Sequence, residues 1–145
     1  GHEFGYTNFK KKQIINLIKI CKNLIKKYKI KKKNVLGHSD ISPNRKKDPG
    51  EKFPWKKLAK INLCKWHNLK ESRLKRYRNL KLAKNEEKIF LNNLYSLGYS
   101  RIFGKKYKNK KNNLIRAFQR KFRQSLINGK IDQECLLISK NLVKS

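Results

Sequence analysis

The stretch Val35-Leu36-Gly37-His38-Ser39-Asp40-Ile41-Ser42-Pro43-Asn44-Arg45-Lys46-Lys47-Asp48-Pro49-Gly50, followed by Phe53-Pro54-Trp55, decides how this chain is read. Asn34 to His38 has the pattern of a short buried strand, with His38 at its C-terminal end, where strands hand over to functional loops. Ser39 to Lys52 contains Pro43, Pro49 and Gly50 and no apolar period, which predicts a loop. Pro54 suits the first turn of a short helix carrying Trp55, Leu58 and Ala59. A loop of this kind can bring a strand-end imidazole and a carboxylate ten residues later to one metal ion. Zinc favours such mixed nitrogen and oxygen donors, and catalytic zinc keeps one coordination position open. Spacing alone is a weak argument, because a lone His and a lone Asp in a basic chain are more often structural or exposed.

Upstream, Thr7 or Asn8 is placed to cap a helix from about Phe9 to Tyr28. Ile14, Ile18, Cys21, Ile25 and Tyr28 share one face of it, flanked by Leu17 and Leu24, and lysines fill the other. The pattern is that of a helix covering a sheet or another helix. Downstream, residues 62–84 are highly charged with little periodicity and read as a tether, with Trp66 packing back on the first unit. A second unit begins near Glu86. Its first helix holds Ile89, Phe90, Leu94 and Leu97 and stops at Gly98. A second helix, capped by Asn112 or Asn113, turns Leu114, Ile115, Phe118 and Phe122 inward. After an Asn128-Gly129 turn, Asp132 caps a third, with Cys135, Leu136, Ile138, Leu142 and Val143.

The net charge of +31, from 40 Lys+Arg against 9 Asp+Glu, would by itself put nucleic acid or an anionic envelope polymer first among partners. Lysine outnumbers arginine, and asparagine and isoleucine are abundant, the mixture that an AT-rich coding sequence yields. The lysines are therefore read mainly as solvated faces. The aromatic residues fall at helical core spacings rather than on a stacking platform, which argues against a nucleic-acid binder. Cys21, Cys64 and Cys135 are an odd, dispersed set without a C-x-x-C pair, and read as free thiols. No apolar run reaches the length of a membrane span. With no Met and a start at Gly1, the chain is read as a piece of something longer.

Gly37-His38-Ser39-Asp40-Ile41-x-Pro43, Arg45-Lys46-x-Asp48-Pro49-Gly50 and Phe53-Pro54-Trp55 occur in the order and spacing of a known signature. They resemble the zinc-dependent type 2 N-acetylmuramoyl-L-alanine amidases, of the AmpD/AmiD branch, over most of residues 1–67. Ser42, where Ala is commoner, is a minor departure. The resemblance implies an α/β fold, a mixed central sheet with covering helices, of which this chain would hold the C-terminal part. It implies cleavage of the amide between N-acetylmuramic acid and L-alanine in peptidoglycan or anhydro-muropeptides, with Zn2+ as cofactor. It makes His38 and Asp48 zinc ligands, and Lys46 the cation that stabilises charge developing on the carbonyl oxygen. Asp40 is expected to organise the loop. The family also uses another His ligand and a general-base Glu on earlier strands. His2 and Glu3 are read as loop residues and His67 as a poor substitute, so the chain alone is expected to be inactive or nearly so. A bacterial protein, periplasmic, outer-membrane-associated or secreted, is what the family implies.

Ala117-Phe118-Gln119-Arg120-x-Phe122, with Asn128-Gly129-x-Ile131-Asp132, resembles three-helix peptidoglycan-binding modules. That likeness makes Gln119 and Arg120 weak candidates for glycan contact. The expected organisation is 1–67 amidase part, 68–85 basic tether and 86–145 three-helix module. The rival readings are a non-catalytic wall-binding remnant and, further off, a basic nucleic-acid-binding protein whose affinity would fall steeply with salt.

Overall fold

The computed structural model describes residues 7–144, so His2 and Glu3 lie outside the described residues. Seven α-helices occur among them: α1 (Lys11–Tyr28), α2 (His38–Ile41), α3 (Trp55–Lys60), α4 (Glu71–Tyr77), α5 (Lys84–Ser96), α6 (Tyr107–Phe122) and α7 (Gln133–Lys144). A 3-10 turn spans Lys32–Asn34.

The expected mixed α/β sheet is not there: among the described residues no strand occurs. The segment read as a strand, Asn34 to His38, instead leaves the 3-10 turn in extended conformation and enters α2 at His38. A strand needs a neighbour for its N–H and C=O groups, and these groups are engaged otherwise. Val35 N–H donates back to Lys32 O at 3.3 Å. Val35 O accepts from Lys121 Nζ at 3.1 Å, and Gly37 N–H donates to Asp40 Oδ2 at 2.9 Å. The apolar run records burial, which strand and coil share.

The helix boundaries follow local chemistry. α1 begins after Lys10, whose N–H donates to Gln13 Oε1 at 2.9 Å, rather than on a Thr7 or Asn8 cap. In α5, Glu86 reaches back in the same way to Ala83 N–H at 2.9 Å. Gly98 (φ 94°) closes α5: its N–H bonds to Tyr95 O and that of Tyr99 to Leu94 O, both at 3.1 Å. α6 starts at Tyr107, well before Asn112. The asparagines inside it do not break it, since Asn113 Nδ2, for one, donates away from the helix to Asn44 Oδ1 at 3.3 Å. Asp132 caps α7 as expected, its Oδ1 accepting from Cys135 N–H at 3.0 Å.

Two apolar clusters hold the chain. Leu74 of α4 joins Phe90, Leu94, Leu114, Phe118, Cys135, Ile138 and Leu142 in the larger one, built on α5, α6 and α7. Phe53, Trp55, Leu58, Leu63 and Cys64 form the smaller, covered by Leu17, Ile18, Cys21 and Ile25 of α1. Trp66 packs against both, with its ring 5.6 Å from that of Phe122. Burial raises the thiol of Cys64 to about 11 and that of Cys135 to about 12, so both are neutral apolar fillers. No helix among the described residues is long and apolar enough to cross a membrane.

Beneath the apolar layer lies a charged knot. Arg123, Asp132 and Glu134 are buried, and Arg78 clasps Glu134 with Nε–Oε2 at 2.7 Å and Nη2–Oε1 at 2.8 Å. Arg123 Nη1 pairs with Asp132 Oδ2. The knot fixes the segment after α4 against the start of α7.

Phe118 is fully buried, with Phe90 and Phe122 rings each 5.2 Å away. Phe118→Ala is expected to lower unfolding free energy by about 3–5 kcal/mol, measured by urea titration; a loss under about 1 kcal/mol would deny this core its place. His67 is 8 % exposed, and burial holds its imidazole below the ordinary 6.5, partly offset by a hydrogen bond to the backbone of Phe122. Between the lowered value and 6.5 the unfolded chain binds the extra proton, so stability is lost as pH falls below 6.5. The urea midpoint is expected to drop from about pH 7 to about pH 5.5 less steeply in His67→Gln than in the unsubstituted chain. Equal slopes would show that His67 does not carry the dependence.

Candidate metal centre

α2 is a single turn, and three hydrogen bonds shape it. Asp40 Oδ2 accepts from Gly37 N–H at 2.9 Å, which starts the turn. Ser42 N–H donates to His38 O at 2.8 Å, which ends it. Ser39 N–H donates to Asp48 O at 3.0 Å, which returns the loop to its origin. Gly37 is required by close approach: a Cβ there would lie 2.6 Å from Pro49 Cδ and 3.2 Å from the Trp55 ring.

This folding brings His38 and Asp48 into direct contact, Nδ1 against Oδ2. Their side chains are 74 % and 46 % exposed, so the pair faces solvent, where a ligand can reach it. Partial desolvation pushes the Asp48 carboxyl up, but the His38 hydrogen bond and the charges of His38 and Lys46 outweigh it, leaving it below 3.8. The carboxylate is therefore ionised at neutral pH. Lys46 stands in the same loop, its N–H bonded to Ser42 O at 2.9 Å, near enough for its charge to act on Asp48.

An imidazole nitrogen and an ionised carboxylate oxygen held side by side fit the donor preferences of zinc. Among the described residues no group of three or more His, Cys, Asp or Glu side chains is placed to hold a metal ion. His38 and Asp48 would be two donors of the three that a catalytic zinc site draws from protein. His67 is remote in chemistry as well as sequence: it is buried, stacks on Trp66 at 5.2 Å and bonds to Phe122.

Asp40 is 3 % exposed and bonded throughout. Besides Gly37 N–H, its carboxylate accepts from Lys121 Nζ at 3.0 Å on Oδ2 and from Tyr99 Oη at 2.9 Å on Oδ1. Burial, then the Asp40 charge and that hydrogen bond, raise the Tyr99 hydroxyl well above 10, so it remains a donor. Lys121 and Tyr99 were not singled out by sequence reasoning. One signal was available: Lys121 lies three residues after Phe118 and seven after Leu114, on the inward face of α6.

Gln119 and Arg120 lie inside the fold. Gln119 is fully buried; Oε1 accepts from Asn128 and Gly129 N–H at 3.0 and 2.9 Å, and Nε2 donates to Lys130 O at 2.8 Å. Its amide builds the turn between α6 and α7. Arg120 is 7 % exposed, with Nε and Nη1 buried and lacking a hydrogen-bond partner.

The family model for N-acetylmuramoyl-L-alanine amidase matches residues 2–51. N-acetylmuramoyl-L-alanine amidase AmiD of Escherichia coli (strain K12) is 32 % identical over 139 residues, which is 96 % of this chain and 50 % of that protein. The 1,6-anhydro-N-acetylmuramyl-L-alanine amidase AmpD of Enterobacter cloacae is 39 % identical over 52 residues, 36 % of this chain and 28 % of that protein. Among solved structures, E. coli AmiD with the substrate anhydro-N-acetylmuramic acid-L-Ala-D-gamma-Glu-L-Lys superposes with a TM-score of 0.82 at 33 % identity, covering 97 % of this chain and 54 % of that one. AmpDh3 of Pseudomonas aeruginosa with anhydromuramic pentapeptide gives 0.80 at 29 %, covering 97 % and 55 %. The chain spans about half the length of the amidase AmiD that it matches. Loop signature, backbone and sequence all make this chain similar to the AmpD/AmiD-like N-acetylmuramoyl-L-alanine amidases.

Proposed function

We propose that this chain carries the His38–Asp48 side of a zinc amidase centre that hydrolyses the amide between N-acetylmuramic acid and L-alanine in peptidoglycan or its anhydro-muropeptides. The observation that carries the reading is the contact of His38 Nδ1 with Asp48 Oδ2, made within the amidase signature. The substrates in the AmiD and AmpDh3 complexes support the choice of substrate class.

Zinc, when bound, supplies a Lewis acid for the scissile carbonyl and lowers the pKa of water. His38 and Asp48 would hold it, with Asp48 ionised and therefore ready to ligate. Lys46, already close enough to act on the Asp48 charge, would set its ammonium beside the oxygen that becomes negative as the amide is attacked. Stabilisation there acts on the transition state more than on the ground state, so Lys46 should affect turnover rather than binding. A third donor and a general base complete such a centre, and among the described residues no third donor is placed beside this pair.

The test is a chimera in which this chain replaces the matched portion of E. coli AmiD. It is expected to release the L-alanine-containing peptide from anhydro-N-acetylmuramyl tripeptide in a zinc-dependent manner. His38→Ala and Asp48→Ala should abolish release, and Lys46→Met should lower kcat by about a hundredfold with little change in KM. A folded, zinc-loaded chimera without activity, or a Lys46→Met chimera with unchanged kcat, would contradict the proposal.

A further inference from the structure

The helical half of the molecule reaches into the loop that carries the metal donors. Lys121, near the end of α6, is 4 % exposed, and besides the Phe122 ring at 5.5 Å its ammonium has three nearer partners. These are Asp40 Oδ2 at 3.0 Å, Val35 O at 3.1 Å and the Trp55 ring, whose centroid is 4.4 Å away. Tyr99, set just beyond the Gly98 stop of α5, donates to Asp40 Oδ1 at 2.9 Å. Gln124 adds a further link, its Nε2 donating to Glu51 O at 2.8 Å and Phe53 O at 2.7 Å.

We propose that Lys121 and Tyr99 are positioning residues for the His38–Asp48 donor pair. The inference rests on the zinc reading of that pair and adds the part of the molecule that holds it. Both neighbours of His38 are pinned: Gly37 N–H to the Asp40 carboxylate, and Ser39 N–H to Asp48 O. The first pin depends on where the carboxylate sits, and Lys121 and Tyr99 fix its two oxygens. The second lies where Pro49 and Trp55 approach Gly37 closely, and Lys121 sits over the same Trp55 ring. Removing the ammonium leaves a buried carboxylate without its cation, a state that favours releasing Asp40 to water. Release of Asp40 unwinds the turn at Gly37 and separates His38 from Asp48. Lys121 and Tyr99 thus act through Asp40 and the backbone, not at the metal. On this account α5 and α6 are a rigid support for the centre, as precise sites need.

The test uses the 145-residue chain and two readouts, amide hydrogen exchange by NMR and zinc titration by calorimetry. In Lys121→Met, protection of the Gly37 and Ser39 amides is expected to fall about tenfold or more while α7 amides keep theirs. Zinc affinity should fall about tenfold with it. Tyr99→Phe should show the same pattern at about threefold, since one hydrogen bond of three is lost. Ile138→Val, buried in the larger cluster, controls for general loosening and should leave Gly37 and Ser39 as they are. Unchanged protection at Gly37 and Ser39 in Lys121→Met would overturn the proposal. So would a loss matched across α7, which would make Lys121 a determinant of global stability only. If the unsubstituted chain takes up no zinc while Lys121→Met still frees Gly37 and Ser39, the zinc reading fails and the positioning stands.

Discussion

A buried carboxylate organises the functional end of this molecule. Asp40 lies three residues after the glycine whose N–H it holds, and it is removed from water. An ionised group in that place is costly unless each lone pair is used. Three donors meet it here, from the backbone of Gly37, from α6 through Lys121 and from the end of α5 through Tyr99. The position of α2 therefore follows from two helices distant in sequence. The exposed pair His38 and Asp48 sits on the loop whose first turn this carboxylate holds.

The same economy runs through the chain. Acidic residues are few, and those described are mostly committed to structure. Asp132 and Glu134 accept from Arg123 and Arg78, Glu87 pairs with Lys111 at 2.9 Å, and Glu86 closes the start of α5. Lysines are many, and most lie on solvated faces, where charge affects solubility and encounter more than fold. Lys121 departs from that pattern, and burial is what marks it out. The large positive charge is thus a property of the surface, while the Lys121–Asp40 and Arg78–Glu134 pairs join segments far apart in sequence.

How much of this could be read from residues alone differs by feature. Helix periodicity gave α1, α5 and α7 nearly in place, because one-sided apolar patterns at 3.6 residues are local information. Asp132 as a cap and Gly98 as a stop were legible for the same reason. The Val35 segment was misread as part of a sheet, since strand formation depends on partners that a local run does not encode, and here a lysine side chain takes the carbonyl. His38, Lys46 and Asp48 stood out through their signature. Lys121 did not, because one lysine among many carries no signal until its helical face is counted. α6 begins at Tyr107, five residues before Asn112, because Asn112 and Asn113 lie inside the helix and do not cap it.

On the proposal above, this loop presents His38 and Asp48 to a single zinc ion. Diffraction at the zinc absorption edge, from crystals of the chain grown with zinc, tests it most directly. An anomalous peak is expected about 2.0–2.2 Å from both an imidazole nitrogen of His38 and a carboxylate oxygen of Asp48. A map with no peak between those two side chains, or with zinc seated only at other residues, would contradict it.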